Sequence, residues 1–177
     1  MRDTIDVGDK SFLVEIERDE SMGEPWKEHD GHGIITEWER RDKAPHERVL
    51  CEDHRSHRYY DVRESTELAK RDGWGCSHST VTDGKFHHGH KSKREAIACA
   101  VDQDFNRMRG WCNDEWSWVG VIVTMLDDDG KKTDVTDSLW GIESDSTDYI
   151  DQTAQEMAES LAKTVNDELR AAESMLD

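Results

Sequence analysis

The stretch of residues 110–126 constrains the fold of this 177-residue chain more than any other. It holds three of the seven tryptophans, Trp111, Trp116 and Trp118, followed by a run rich in valine, isoleucine and threonine. Large rings dominate the energetics of protein cores, and these residue types favour strands. We predict that Trp111 ends the apolar face of a helix and that residues 116–126 form a central strand.

The alternation of side chains along this strand predicts which residues share a face. Side chains two residues apart on a strand point the same way. Trp116 and Trp118 should therefore lie on one face with Ile122 and Thr124, and the opposite face should carry Val119, Val121 and Val123. Because both faces are apolar, we expect the strand to be covered on both sides, with all three tryptophans bounding the same core.

The remaining patterns predict an α+β fold. Residues 11–18 and 34–38 favour strands, Asp61 caps a short helix that stops at Asp72 and Gly73, and Ser92 with Glu95 opens a long helix. Asp127 to Gly130 favours a hairpin, and a second long helix begins near Asp148. We expect a single domain over residues 1–177, with a mainly antiparallel sheet and central hairpin packed by two long helices and one short helix. Residues 1–10 and 170–177 are predicted to fray.

The cysteines and the termini bear on the compartment. Cys51, Cys76, Cys99 and Cys112 have no CxxC spacing, and the last two fall on the predicted long helix. Cys99 and Cys112 are therefore interpreted as buried thiols rather than disulfide partners, which fits a reducing compartment. The chain has no apolar run long enough for a membrane helix and no signal peptide. We therefore expect a cytoplasmic protein.

A glycine-rich loop is the best local candidate for a site. Its candidate residues are two histidines, a carboxylate and a flanking tryptophan: Trp26, His29, Asp30 and His32. Loops carry function disproportionately, so these residues could form a binding site. The alternative is that Gly31 and Gly33 make a turn, Asp30 caps it and the tryptophan packs beneath.

Zinc is the cofactor to weigh, because cysteine and histidine occur together. Eight of the nine histidines lie between His32 and His90. The candidate ligands are Cys76, His78, His87, His88 and His90, and Cys51 and His54 form a further pair upstream. Their spacing is irregular, whereas structural zinc sites use two closely spaced pairs. We expect no cofactor, with zinc as the alternative.

Catalytic motifs are scarce. His54 and His78 each begin a His-x-Ser/Thr tripeptide, the pattern of two-histidine phosphoesterases, in which two imidazoles share acid and base roles. Only 24 residues separate them, which is short for a pair on two repeats. The chain has no Gly-x-Ser-x-Gly elbow and no phosphate-binding glycine loop. We assign no catalytic residue.

The charge is strongly negative and unevenly spread. The net charge is −18, and residues 127–177 hold 15 acids and 4 bases, a balance of −11. Such a surface opposes direct nucleic-acid binding and favours basic protein partners. The predicted partner-binding residues are Asp134, Asp137, Glu143, Asp145, Asp148, Asp151, Glu156 and Glu159. On one face they could imitate a phosphate array; the alternative is a merely solvated surface.

Several phrases of the sequence resemble those of small, uncharacterised bacteriophage and prophage proteins. They are PWKEHDGHG (25–33), RYYD (58–61), RDGWG (71–75), WCNDEWSWVG (111–120) and LWGIESD (139–145). The resemblance covers about residues 24–165 and implies an origin but no activity. We predict a non-enzymatic phage protein that binds and inhibits or redirects a basic host protein, such as a nucleic-acid-handling defence enzyme. The alternatives are a metal-binding or phosphoesterase-like module and a virion structural or assembly component.

Overall fold

The computed structural model describes residues 2–52, 57–75, 90 and 92–175. The chain, predicted as a single domain over residues 1–177, divides into two compact units. Unit 1 comprises Met1–Met22 and Trp116–Asp177, and unit 2 comprises Gly23–Glu115. Each unit has an antiparallel sheet and at least one helix, so the α+β fold class predicted from the sequence is confirmed. The single mainly antiparallel sheet expected is, however, two sheets.

Unit 1 is a four-stranded sheet covered by one long helix. Its strands are β1 (Arg2–Val7), β2 (Lys10–Arg18), β6 (Trp118–Leu126) and β7 (Lys132–Glu143), in the order β1-β2-β6-β7. Helix α4 (Thr147–Ser174) follows β7 and contacts all four strands. The predicted hairpin joins β6 to β7, where the Asp127 carboxylate accepts hydrogen bonds from the N–H groups of Asp129 and Lys131 at 3.0 and 2.8 Å.

The prediction of frayed ends is wrong at the N-terminus. Residues 2–7 form strand β1, which pairs with β2 through a turn at Gly8, whose φ of +64° suits glycine. Ile5 and Val7 pack against the core while Thr4 and Asp6, which alternate with them, are exposed; this packing stabilises a strand with few apolar residues. At the other end, α4 continues through the segment predicted to fray as far as Ser174, and residues 176–177 lie outside the described part.

The burial of both faces predicted for the central strand is confirmed, but β6 begins at Trp118 and not, as predicted, at Trp116. Val119, Val121 and Val123 are buried in a cluster with apolar residues of α4, namely Ile150, Ala154, Met157, Ala158 and Ala162. Trp118 alternates to the other face and is 4% exposed, as is Trp116, and their rings meet edge to face with centroids 5.2 Å apart. The prediction that Trp111 bounds the same core is wrong: Trp111 lies in unit 2, where its ring meets that of Trp26 with centroids 5.4 Å apart.

Unit 2 has a three-stranded sheet and three helices. The strands are β3 (Ile34–Trp38), β4 (Glu47–Glu52) and β5 (His57–Asp61), in the order β3-β5-β4. The helices are a single turn, α1 (Pro25–Glu28), then α2 (Val62–Asp72) and α3 (Lys93–Cys112). The predicted helix signals are confirmed: the Asp61 and Ser92 side chains accept from the third residue of their helices, and Gly73 ends α2 with a φ of +74°.

The core of unit 2 forms where α3 packs on β4 and α2. Tyr60 and Phe105 are at most 2% exposed, and their rings meet edge to face with centroids 5.6 Å apart. Other buried side chains continue this apolar face of α3 at spacings of three and four: Ile97, Val101 and Met108. The helix predicted from this periodicity is therefore present and packs as expected.

A disulfide overturns one reading of the cysteines. Cys51 in β4 and Cys112 at the end of α3 are bonded, with Cα atoms 5.7 Å apart, a usual spacing for a disulfide. The prediction that Cys112 is a buried thiol is wrong, because α3 packs against β4 and brings its last residue to that strand. Cys99 is a free, half-buried thiol, as predicted, and Cys76 lies outside the described residues.

None of the helices in the described part of the chain has the length and apolarity needed to cross a membrane.

Candidate functional site

The glycine-rich loop before β3 is held in place from beneath. Gly31 has a φ of +96°, a backbone conformation that glycine adopts without strain. Gly33 packs so closely on β5 and α2 that a Cβ there would overlap the Tyr60 hydroxyl and the Ser65 side chain. The two glycines therefore have distinct roles, one in turning the chain and the other in allowing its close approach to the core.

Asp104 of α3 binds this loop through both carboxylate oxygens. Oδ1 lies 2.8 Å from Nδ1 of His32, and Oδ2 accepts the Gly33 N–H at 2.8 Å and the Tyr60 hydroxyl at 2.7 Å. Ser65 of α2 accepts the next N–H, that of Ile34, at 2.8 Å. One carboxylate thus joins the loop, β5 and α3. The sequence alone gave no indication of this role for Asp104.

The electrostatics of the network fix its protons. Burial raises the pKa of Tyr60, and the nearby Asp104 carboxylate raises it further, so the hydroxyl stays protonated and donates. A carboxylate oxygen accepts, so Nδ1 of His32 is the donor in this pair, and in the neutral tautomer the lone pair lies on Nε2. A histidine–carboxylate pair of this kind can hold an imidazole in one tautomer and orientation.

Of the predicted loop-site residues, His32 is the one in the Asp104 network. His29 and Asp30 are exposed. Trp26 is half-buried, packed against Trp111 and with the Arg58 guanidinium 5.8 Å from its ring centroid. The contacts of Trp26 are thus with Trp111 and Arg58, and the alternative that it packs beneath the loop stays a prediction. The loop is a structural turn in which one histidine, His32, is held by a carboxylate.

Replacing Asp104 by alanine should destabilise unit 2. The change leaves the Gly33 N–H and the Tyr60 hydroxyl without their acceptor, and an unsatisfied buried polar group costs about 1–3 kcal/mol. We expect a loss of about 2–3 kcal/mol in chemical denaturation. Asp102→Ala is the matched control on the same helix, because its exposed pair with Arg48 should contribute less than about 1 kcal/mol. Equal losses for both variants would contradict the role given to Asp104.

A second cluster lies where β4 begins. One ligand-type atom each from His46, Glu47 and Asp61 lies within 4.8 Å of the others. Glu47 and Asp61 are direct partners across the β4–β5 pair, and Nε2 of His46 is 3.3 Å from the Asp61 carboxylate. Imidazole and carboxylate groups are common ligands of divalent metals. Sequence reasoning missed this set, although the adjacent His-Glu pair was visible, because the strand register is needed to add Asp61.

The carboxylates of this cluster already have partners. Glu47 pairs with Arg41 at 2.6 Å and accepts the Ala44 N–H at 2.6 Å, while Asp61 caps α2. The hydrogen bond from Arg41 holds the pKa of Glu47 below its usual range, with the Ala44 N–H acting in the same direction and burial opposing both. These hydrogen bonds tie the start of β4 to the residues before it and to α2, and a metal would compete with them.

The lowered pKa of Glu47 predicts a pH dependence. A carboxyl group with a depressed folded-state pKa stabilises the fold above its unfolded value, about 4.3, and loses that contribution as pH falls through the folded value. Glu47→Gln should therefore be less stable than wild type at pH 7, and the difference should shrink towards pH 3. Asp42→Asn removes an exposed acid nearby and is the matched control for the change in net charge. A Glu47→Gln difference that stays constant from pH 7 to pH 3 would contradict this assignment.

Of the five zinc ligands predicted from the sequence, only His90 is among the described residues. Cys76, His78, His87 and His88 lie outside the described residues, as does His54. His90 is described and half-buried, with Nδ1 3.9 Å from a Glu95 carboxylate oxygen. The predicted zinc site and the paired His-x-Ser/Thr motifs therefore stay predictions.

The predicted acidic residues all fall in unit 1, and they divide by face. Asp148, Asp151, Glu156 and Glu159 are exposed on α4; Asp148, Glu156 and Glu159 lie opposite its buried stripe, and Asp151 lies at the edge of that stripe. Asp137 is exposed opposite Val123, so it is on the helix side of the sheet. Glu143 pairs with Trp118 and lies on the other side, half-buried, while Asp134 and Asp145 are exposed in the irregular part of β7 and in the turn before α4. Only part of the predicted set can thus share one surface.

No protein-family model matches the chain, and no curated protein or solved structure matches it.

Proposed function

We propose that the protein is a non-enzymatic bacteriophage accessory protein that binds a basic host protein in the bacterial cytoplasm and inhibits or redirects it. The observation that carries this proposal is the exposed face of α4. Four exposed carboxylates lie along it, three opposite the buried stripe and that of Asp151 at its edge: Asp148, Asp151, Glu156 and Glu159. The resemblance of the sequence phrases to small phage proteins supports the origin.

The spacing of these carboxylates suits a basic surface. Residues 148 to 159 span about 17 Å of helix axis at 1.5 Å per residue, or about 5.5 Å between successive charges. One strand of DNA carries a charge about every 3.4 Å, so the face is sparser than a phosphate backbone. The array can complement a lysine- and arginine-rich groove without copying nucleic acid charge for charge. We propose a nucleic-acid-handling enzyme as the partner class, because such grooves are built to hold phosphates.

The local cations leave this face negative. Helix α4 has seven acids and two bases, Lys163 and Arg170, a balance of −5. Arg170 lies 3.8 Å from Asp167, in the second half of the helix. Exposed charges attract a partner over roughly a Debye length, which is about 10 Å at 0.1 M salt, so binding should weaken as salt rises.

A charge-neutralised variant tests the proposal. The α4 variant carries Asp148→Asn, Asp151→Asn, Glu156→Gln and Glu159→Gln, and the control carries the same charge change on exposed acids of unit 2: Glu39→Gln, Asp42→Asn, Glu64→Gln and Glu67→Gln. In a pull-down from host lysate, we expect wild type and control to retain one basic host protein at about 50 mM salt and to lose it at about 500 mM. The α4 variant should not retain that protein at either salt concentration. A partner retained by the α4 variant, or no basic partner at either salt, would refute the proposal.

Metal binding is the second candidate function, favoured by the convergence of His46, Glu47 and Asp61. In this reading, the imidazole and the two carboxylates exchange their internal partners for a divalent ion. Elemental analysis of the purified protein, alongside His46→Ala, tests it. About one metal per chain, lost in the variant, would support the site, whereas less than about 0.1 mol per chain would exclude a structural metal there.

A further inference from the structure

Unit 2 contains a pocket of about 520 Å³ between β4 and the C-terminal half of α3. Its volume falls in the range of about 300–1,000 Å³ that is usual for small-molecule sites. The disulfide between Cys51 and Cys112 forms part of its wall, and Leu50 and Phe105 add buried apolar surface. The pocket belongs to neither the acidic surface of unit 1 nor the Asp104 network.

The pocket is lined by an excess of positive charge, in a chain whose net charge is −18. Three cationic side chains line it, Lys43, Arg48 and Arg109, against one carboxylate, Glu47. The charge of that carboxylate is matched by Arg41 at 2.6 Å. The lining cations are therefore not neutralised from within the pocket wall.

The three cations differ in how they are held. The Arg48 guanidinium lies 3.4 Å from the Phe105 ring centroid and pairs with the exposed Asp102 at 2.6 Å, so it is oriented before any ligand arrives. Lys43 and Arg109 are exposed, and neither forms an ion pair with any residue in ranges 2–52, 57–75 and 92–175. One positioned cation and two available ones thus converge on a single cavity.

The end of α3 does not cancel this positive field. A helix C-terminus carries a partial negative charge from its unsatisfied carbonyls. Here, the carbonyls of Arg109, Gly110 and Trp111 accept N–H groups from the three residues that follow the helix, at 2.9–3.2 Å. The last turn is therefore capped by its own chain.

We propose that this pocket binds a small phosphate-bearing molecule. Guanidinium and ammonium groups together match the charge and the acceptor oxygens of a phosphate, and arginine binds it through paired N–H donors. The apolar wall formed by Leu50, Phe105 and the disulfide would contact the organic part of the ligand. The site goes beyond the proposed partner binding and does not depend on it, because it lies in the other unit.

Titration of the full-length protein with inorganic pyrophosphate, followed by isothermal calorimetry, tests the site. We expect saturable binding of one pyrophosphate per chain, weakened at least about tenfold by Arg109→Gln or Lys43→Gln, which corresponds to about 1.4 kcal/mol. Arg94→Gln is the matched control, an exposed arginine on the same helix outside the pocket, and should bind like wild type. Arg109→Lys, which keeps the charge, should retain more binding than Arg109→Gln.

Two results would overturn the proposal. One is that wild type shows no saturable binding up to about 5 mM pyrophosphate. That concentration would largely fill even a site with a dissociation constant of about 1 mM. The other is an equal loss in Arg94→Gln and Arg109→Gln, which would mean that binding follows net charge rather than the pocket. Thermal unfolding of each variant confirms that its fold is intact. Neither result bears on the acidic surface of unit 1, so the two proposals fail separately.

Discussion

Trp118→Ala should lower the free energy of unfolding by about 3–5 kcal/mol. Trp118 is 4% exposed, packs edge to face on Trp116, and sits on a strand whose opposite face is buried under α4. Removing a buried indole loses its transfer free energy and leaves a cavity that such a rigid strand cannot fill. The loss is a large share of a usual stability of about 5–15 kcal/mol. Chemical denaturation followed by far-ultraviolet circular dichroism measures it.

Trp140→Ala is the matched control for this prediction. Trp140 lies on the neighbouring strand with its ring over Gly120, but it is 44% exposed. Since part of its surface stays in water, we expect less than half the loss of Trp118→Ala. A loss under about 1 kcal/mol for Trp118→Ala would place its ring outside the core and leave it as an aromatic contact for a partner.

Breaking the Cys51–Cys112 disulfide should cost unit 2 about 4 kcal/mol. The bond spans 61 residues of sequence, and closing a loop of that length removes about 4 kcal/mol of chain entropy from the unfolded state. Cys112→Ser should therefore unfold at a markedly lower denaturant concentration than wild type. Chemical denaturation of the two proteins, without added reductant, measures the difference.

Reductant and a third cysteine supply the controls for the disulfide. Adding a thiol reductant should bring wild type down to the stability of Cys112→Ser and leave that variant unchanged. Cys99→Ser, on the same helix but outside the bond, should keep the wild-type response to reductant. Identical denaturation midpoints for wild type with and without reductant would contradict a stabilising bond. The measurement also bears on compartment, because cytosolic thiols are usually kept reduced.

Local signals in the sequence predicted the elements with strong periodicity or capping. The alternation of Val119, Val121 and Val123 with the tryptophans gave the two faces of β6, and Asp61, Gly73 and Ser92 gave the helix ends. These features depend on neighbours three or four residues away, so a single sequence contains them. Strand β1 was missed because only Ile5 and Val7 are apolar, and its pairing with β2 supplies the rest of its stability.

The sites depend on residues far apart in the chain. Asp104 binds a loop 71 and 72 residues away, and the disulfide joins residues 61 apart. The His46, Glu47 and Asp61 cluster requires the register of β4 on β5, which includes an irregularity between Val49 and Cys51. None of these pairings has a local sequence signature. The acidic face of α4, by contrast, follows from helical periodicity and was predictable in part, while the packing of the sheet separates Glu143 from it.

The most direct test of the proposed function is site-specific photo-cross-linking at position 156. A photo-reactive residue replacing Glu156 sits in the middle of the acidic face of α4, and one replacing Thr4 sits on the opposite face of the unit 1 sheet, also exposed. The proposal predicts that a basic host protein is cross-linked from position 156 and not from position 4. Cross-linking of the same protein from both positions, or from position 4 alone, would contradict binding through the acidic face.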